Sequence, residues 1–233
     1  MNWKDAALFH AKDQSPKESV GLLLNIKGKE KYFPCRNLSM TAHQCFILDP
    51  EDYVKADNLG SIQAIIHSHP RTSPNPSQAD LVSCENSGLP WHIINPHDET
   101  WGYCEPTGYQ IPLIGREWVW GITDCWSLVR DWYKQERNID LIDYERTMTP
   151  EEFVQNPLFE KYTKKTGFIE LEEGEALQKG DMLLMSIMHP TLNHVAIFLG
   201  DMILHHLADR LSCREPYSMW LQKCTAKRYR YAS

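Results

Sequence analysis

Ile65-Ile66-His67-Ser68-His69-Pro70, running on to Ser77-Gln78-Ala79-Asp80, decides how the first half of the chain is read. Two histidines one residue apart face the same way only from an extended backbone, because side chains alternate with period two along a strand. The apolar run Ile62 to Ile66 supplies that strand. Eleven residues beyond His69, Asp80 adds a carboxylate oxygen to the two imidazole nitrogens. A catalytic zinc uses such a set of three and keeps a fourth position open. Pro70, Pro74 and Pro76 stiffen the intervening loop, which lowers the entropy cost of closing it. Taken singly, histidines at a strand end are ordinarily surface residues. Ser77-Gln78-Ala79-Asp80 also fits a helix start, with Ser77 as N-cap and Asp80 reaching back from the third helical position. As a set, the metal is the better reading.

The pattern His67-x-His69-Pro70, six residues, Ser77, two residues, Asp80 resembles the signature of the JAMM (Mov34/MPN) zinc metallopeptidases. The resemblance implies that His67, His69 and Asp80 hold zinc. It implies further that Glu18, just ahead of Ser19-Val20-Gly21-Leu22-Leu23-Leu24, is a general base and that Ser77 helps to stabilise an oxyanion. Zinc lowers the pKa of water towards neutrality, and a carboxylate can take the proton. Glu18 also fits a capping box with Ser15, but the strand that follows at once opposes that reading.

The 233 residues are enough for one large domain or two ordinary ones, and 42% hydrophobic content can build a core for either. A formal net charge of -7 offers no basic footprint for nucleic acid. No apolar stretch approaches the roughly 18 residues of a membrane span. Met1-Asn2-Trp3-Lys4-Asp5 has no signal-peptide core, so synthesis and folding in the cytosol are expected. Seven cysteines without a C-x-x-C pair read as free thiols, most of them small buried hydrophobes.

Periodicity in the first half predicts a mixed α/β arrangement. Helices are expected at Trp3 to Ala11, from Asp49-Pro50 and at Gln78 to Asn86. Strands are expected at Ser19 to Ile26, Tyr32-Phe33, Cys45 to Leu48 and Trp91 to Asn95, with a turn at Lys27-Gly28-Lys29. His92 and His97 have no spacing argument as ligands and read as structural or exposed. Pro106, Gly108, Pro112 and Gly115 break the pattern within a short interval, which puts a boundary near residue 110. The expected domains are 1-108 and 112-233.

The second half centres on Thr123-Asp124-Cys125-Trp126-Ser127. Cys125, Leu128, Val129, Trp132 and Tyr133 recur at helical spacing, while Arg130, Asp131, Lys134 and Gln135 take the other face. Cys125 then lies in a first helical turn capped by Asp124 or Thr123, where free N–H groups favour a thiolate. His194 opens the strand His194-Val195-Ala196-Ile197-Phe198-Leu199, and Gly200-Asp201 turns the chain into Met202-Ile203-Leu204-His205-His206. A histidine from one strand and a second polar group from its hairpin partner would complete a nucleophile, base and orienting residue. The bland alternatives are a core cysteine and a strand-end surface histidine. Thr149-Pro150-Glu151-Glu152 is a capping box ahead of Phe153 and Val154. The acidic run Glu170, Glu172, Glu173 and Glu175 reads as a solvated loop, and Lys227 to Tyr231 as a final strand with a basic face.

Asp124-Cys125 opening a helix, Lys179-Gly180-Asp181 before Met182-Leu183-Leu184-Met185, and His194-Val195-x-Ile197-x-Leu199-Gly200 followed by a histidine resemble the NlpC-type cysteine peptidases. That likeness implies a papain-like α+β domain with Cys125 and His194 catalytic and a peptidoglycan stem peptide as substrate. Members often carry serine and then glycine after the cysteine, where this chain has Trp126-Ser127. For the third catalytic position a gapless count favours His206, and alignment on Ile203-Leu204 favours His205, which is taken. A JAMM-like domain followed by an NlpC-like domain is similar to the tail-tip assembly proteins of lambda-like phages. The implied partners are other phage tail-tip proteins. The implied locations are the host cytoplasm during assembly and the virion tail tip. A silent assembly scaffold, or a metallopeptidase that processes a tail protein, is the alternative.

Overall fold

The computed structural model describes residues 2–43, 45–147, 149–156 and 158–232. The chain divides into two compact units, Met1–Gln110 and Ile111–Ser233.

In the first unit, α1 (Trp3–Gln14) starts at Asn2, whose side chain accepts the Asp5 N–H at 2.9 Å. Strands β1 (Val20–Ile26) and β2 (Lys29–Cys35) form a hairpin. Its turn needs two residues at positive φ, Lys27 at 52° and Gly28 at 80°. Then follow α2 (Pro50–Leu59), β3 (Ser61–Ser68), α3 (Gln78–Ser87), β4 (Trp91–Asn95) and β5 (Thr100–Cys104). The sheet order is β2-β1-β3-β4-β5, and α3 is the crossover between the parallel neighbours β3 and β4. Both faces are covered. Leu22, Leu24, Ile65 and Trp91 pack with Ala56 of α2 and Cys84 of α3, whereas Leu23, Ala64 and Ile66 pack with Ala7 of α1. Burial on two sides explains why these strands read as continuous apolar runs rather than alternating ones.

Cys45 to Leu48 does not form the expected strand; only an isolated bridge joins Leu48 to Asn37. The Asn37 side chain takes the place of a ladder, donating to the Cys45 carbonyl at 3.2 Å and accepting the Ile47 N–H at 3.0 Å.

In the second unit, α4 (Cys125–Arg137) is followed by α5 (Pro150–Gln155), α6 (Leu158–Tyr162) and a 3-10 turn (Thr163–Thr166). The strands are β6 (Phe168–Glu170), β7 (Met182–Met185), β8 (His194–Phe198), β9 (Met202–His205), β10 (Cys213–Pro216) and β11 (Thr225–Tyr231), with α7 (Met219–Cys224) before the last. They form one antiparallel sheet in the order β10-β9-β8-β7-β11-β6. Leu128, Val129, Trp132 and Tyr133 of α4 bury against Met182, Leu184, Val195, Ile197 and Leu204 of the sheet. Each such aliphatic side chain contributes about 1.5–3 kcal/mol on leaving water. The turn before β7 is tied to the end of α4, since the Tyr133 hydroxyl donates to the Gly180 carbonyl at 2.6 Å and Arg137 to the Lys179 carbonyl at 2.7 Å. The acidic run is engaged rather than merely solvated. Arg230 pairs with Glu175 at 2.6 Å and Asp181 at 2.8 Å, and Arg228 donates to the Glu172 and Glu175 carbonyls.

Candidate active sites

Antiparallel pairing sets Val20 of β1 opposite His67 of β3. The register continues beyond the ladder, with the Ser68 N–H on the Ser19 carbonyl at 3.1 Å and the Ser19 N–H on Ser68 Oγ at 2.8 Å. Glu18 therefore arrives beside His69. From the other direction, α3 opens with a complete capping box. Asp80 N–H donates to Ser77 Oγ at 3.1 Å, and the Ser77 N–H donates to Asp80 Oδ2 at 2.7 Å. The helix-start and metal readings of this segment coexist, because Asp80 also faces both histidines. Its Oδ1 lies 3.2 Å from His67 Nε2 and its Oδ2 3.3 Å from His69 Nε2, while the two Nε2 atoms are 3.0 Å apart.

This geometry fits a zinc ion. Bond lengths near 2.0–2.2 Å at tetrahedral angles separate ligand atoms by roughly 3.3 Å. His69 Nδ1 lies 2.9 Å from the Ser73 carbonyl, the second contact that orients a ligating imidazole and leaves its Nε2 bare. His67 is enclosed by Phe46 and Trp91 at ring distances of 4.9 and 5.2 Å, and its buried Nδ1 has no partner among the described residues. Burial lowers the His67 pKa, which favours the neutral imidazole with one nitrogen lone pair free for a metal. For Asp80, burial works against ionisation, but hydrogen bonds from His67 and His69 hold the carboxyl well below its usual range. Burial pushes Glu18 up to about 7, against the opposing pull of His69. The Ser77 hydroxyl donates to Asp80 Oδ2 at 2.7 Å, so it holds that carboxylate in place. His92 packs instead between Trp3 and Tyr103, at ring distances of 5.1 and 5.0 Å.

In the second unit Asp124, not Thr123, caps α4, accepting the Ser127 N–H at 2.9 Å and its hydroxyl at 3.0 Å. Thr123 Oγ1 donates to the Glu117 carbonyl. Arg146 grips Asp124 with Nε at 2.9 Å and Nη2 at 3.2 Å, a buried fork that sequence reading missed; no local signal marks it. Cys125 opens α4, and the backbone N–H groups of Val195 and Trp126 lie near enough to its sulfur to favour the thiolate. The sulfur thus sits beside the first turn of its own helix and the start of β8, which His194 begins.

The resting thiol is not the thiolate that a helix N-terminus alone predicts. Burial first, and the Asp124 charge second, push Cys125 up to about 12 despite the N–H contacts. Burial likewise brings His194 down to about 3. Both partners are neutral. His194 Nε2 lies 3.2 Å from His205 Nδ1, and His205 Nε2 lies 2.6 Å from Glu215 Oε1. His206, on the alternate side of the strand, turns its Nε2 to the Arg210 carbonyl at 3.1 Å. His205, Cys213 and Glu215 also present ligand atoms within 4.8 Å of one another, a second group able to hold a metal. A pocket abuts Cys125, walled by Trp120, Trp126, Tyr144, Phe153 and Phe159 but by neither His194 nor His205.

The fold and sites define a two-domain protein in which a JAB-like unit precedes an NlpC/P60 unit. Residues 2–104 match prokaryotic homologs of the JAB domain, and residues 115–230 match the NlpC/P60 family. The chain is 37% identical to "Tail tip assembly protein K" of Escherichia phage N15 over 97% of its own length and 93% of the relative's. It is 34% identical to "Tail tip assembly protein K" of Escherichia phage lambda over 79% and 89% of the two lengths. A JAB1/MPN domain protein from Archaeoglobus fulgidus aligns with 47% of this chain and 87% of its own at 21% identity and a TM-score of 0.31. The chain belongs to the phage tail tip assembly protein K family.

Proposed function

We propose that this protein works with other tail proteins in building the phage tail tip and carries a cysteine endopeptidase that hydrolyses peptidoglycan stem peptides. The domains are then 1-108, a JAMM-type zinc peptidase, and 112-233, an NlpC-type peptidase, acting in the host cytoplasm during assembly and at the tail tip. One observation carries the reading. Cys125 opens α4, and the Val195 N–H that favours its thiolate belongs to the residue after His194, whose Nε2 lies 3.2 Å from His205 Nδ1.

In this mechanism His194 accepts the Cys125 proton as the sulfur attacks the scissile carbonyl, since thiol and imidazole both start neutral. The Cys125 N–H, in the first turn of α4 and without an intrahelical acceptor, receives the developing oxyanion. His194 returns the proton to the leaving amine and then takes one from the water that hydrolyses the acyl-enzyme. In the first unit His67, His69 and Asp80 would hold zinc. Zinc, when bound, supplies Lewis acidity towards a carbonyl and a water nucleophile. Glu18 is the proton acceptor there. Ser77 contributes to the oxyanion only after its hydroxyl leaves Asp80.

A catalytically silent scaffold is the second reading, favoured by the burial of Cys125, which is 7% exposed. Digestion of purified peptidoglycan by the wild type, Cys125→Ala and His69→Ala, with products identified by mass, separates the two. The proposal expects the same peptides from the wild type and His69→Ala and none from Cys125→Ala. No release by any of the three would sink the wall-hydrolase reading and turn the search to a tail protein as substrate.

A further inference from the structure

His205 meets a carboxylate, Glu215, that the mechanism has not used. Strand β10 runs antiparallel to β9 with Cys213 opposite His205 and Glu215 opposite Ile203. Cys213, Glu215, His205 and Ile203 therefore share one face of the sheet. That register brings Glu215 Oε1 to 2.6 Å from His205 Nε2, and β8 brings His194 Nε2 to 3.2 Å from His205 Nδ1. His194 and His205 are 4% and 1% exposed, so water does not compete for the contact between them.

The hydrogen bonds in this row have a forced direction. A carboxylate only accepts, whereas a neutral imidazole has one donor and one acceptor nitrogen. His205 Nε2 must therefore carry the proton, and its Nδ1 is the acceptor. His194 Nε2 must in turn donate to it. The remaining ring nitrogen of His194, Nδ1, is then the one with a free lone pair. A row of two neutral histidines transmits the demand of the carboxylate from one end to the other. Burial lowers the pKa of both rings, which supports the neutral forms that the row requires.

We propose that Glu215 is a positioning residue for the cysteine site: through His205 it holds His194 in the tautomer whose Nδ1 is bare and can accept the Cys125 proton. This rests on the cysteine-peptidase reading of Cys125 and His194. Without the carboxylate, the row can run in either direction. In the reverse sense His194 Nδ1 carries a hydrogen and cannot serve as base. Cys213 is not needed for this role.

The test uses the full-length protein labelled with ¹⁵N-histidine, as wild type, Glu215→Gln, Glu215→Ala and Glu215→Lys. The Glu215 side chain is 37% exposed, so all three replacements can be accommodated at the surface. Long-range ¹H–¹⁵N correlation reads which ring nitrogen of His194 is protonated. Iodoacetamide modification, followed by mass spectrometry, reads the rate at Cys125. The wild type should show His194 protonated at Nε2 alone. In Glu215→Ala both tautomers should appear, with alkylation slowed about 10- to 100-fold, the range that loss of an orienting partner costs at metal-ligating histidines. The glutamine carbonyl still accepts from His205, so Glu215→Gln should retain most of the rate. A lysine ammonium only donates, so Glu215→Lys should reverse the row and be the slowest of the four. An unchanged His194 pattern in Glu215→Ala and Glu215→Lys would overturn the proposal, as would equal slowing in all three variants. Neither readout needs a substrate. A wild type with the single tautomer that cuts no peptidoglycan would therefore refute the assigned substrate and leave the role of Glu215 standing.

Discussion

At the scale of single residues, burial rather than local sequence sets the protonation states. Glu18 and Cys125 each stand where a motif asks for an anion, and the loss of water around each raises its pKa. For Glu18 the consequence is a measurable pH dependence. Its folded value of about 7 lies above the ordinary 4.5, so between those values the native state binds more protons than the unfolded state. The contribution of Glu18 is complete below about pH 4.5 and is lost as the pH rises through about 7. In zinc-free protein, urea unfolding of the first unit should lose roughly 3 kcal/mol from this group over that interval. Glu18→Gln should flatten that part of the profile. A variant with the slope of the wild type would show that Glu18 is not a buried acid.

At the scale of elements, α4 is held at its first turn by one buried carboxylate with several partners. Asp124 receives N–H groups from Ser127 and Gly121 and the Arg146 guanidinium. Arg146 lies in the segment between α4 and α5, so the pair also anchors a stretch of irregular backbone to the helix that presents Cys125. Removing one partner of a buried ion pair costs about 3–5 kcal/mol, because the charge left behind has no compensation. Arg146→Ala should lower the stability of the second unit by that order. Replacing both members, Asp124→Ser with Arg146→Met, should cost less than Arg146→Ala, since serine keeps a helix cap and no charge remains. Equilibrium denaturation of the three proteins decides it; a double variant at least as unstable as Arg146→Ala would contradict the argument.

At the scale of the whole molecule, the proposed zinc ligands His67, His69 and Asp80 all lie in one of the two units, so the proposed zinc effect should be confined to that unit. Ligand binding to the native state raises stability by about 4 kcal/mol at a thousandfold excess over Kd. Zinc added to metal-free protein should raise the thermal transition of the first unit and leave that of the second. His67→Ala should abolish the increase, and Cys125→Ala should keep it. Calorimetry with metal quantified on each sample is the check. A zinc-dependent rise that survives in His67→Ala would move the binding site elsewhere, with His205, Cys213 and Glu215 as the next group to replace.

The amino-acid sequence by itself determined the two focal points and the elements that carry them. Spacing of period two placed His67 and His69 on one side of a strand, and the apolar stripe from Cys125 to Tyr133 predicted the buried face of α4, because both patterns are local consequences of backbone geometry. The chain pattern read as a strand at Cys45 to Leu48 failed for the opposite reason, since one distant side chain, Asn37, outcompeted a ladder. Only the tertiary structure decided which groups meet across elements. The β1–β3 register delivers Glu18 to His69, the β9–β10 register delivers Glu215 to His205, and an irregular segment delivers Arg146 to Asp124. It also decided which protons stay on. The ionisation of Glu18, Cys125 and His194 depends on how much water the rest of the fold removes, and no spacing of residues encodes that.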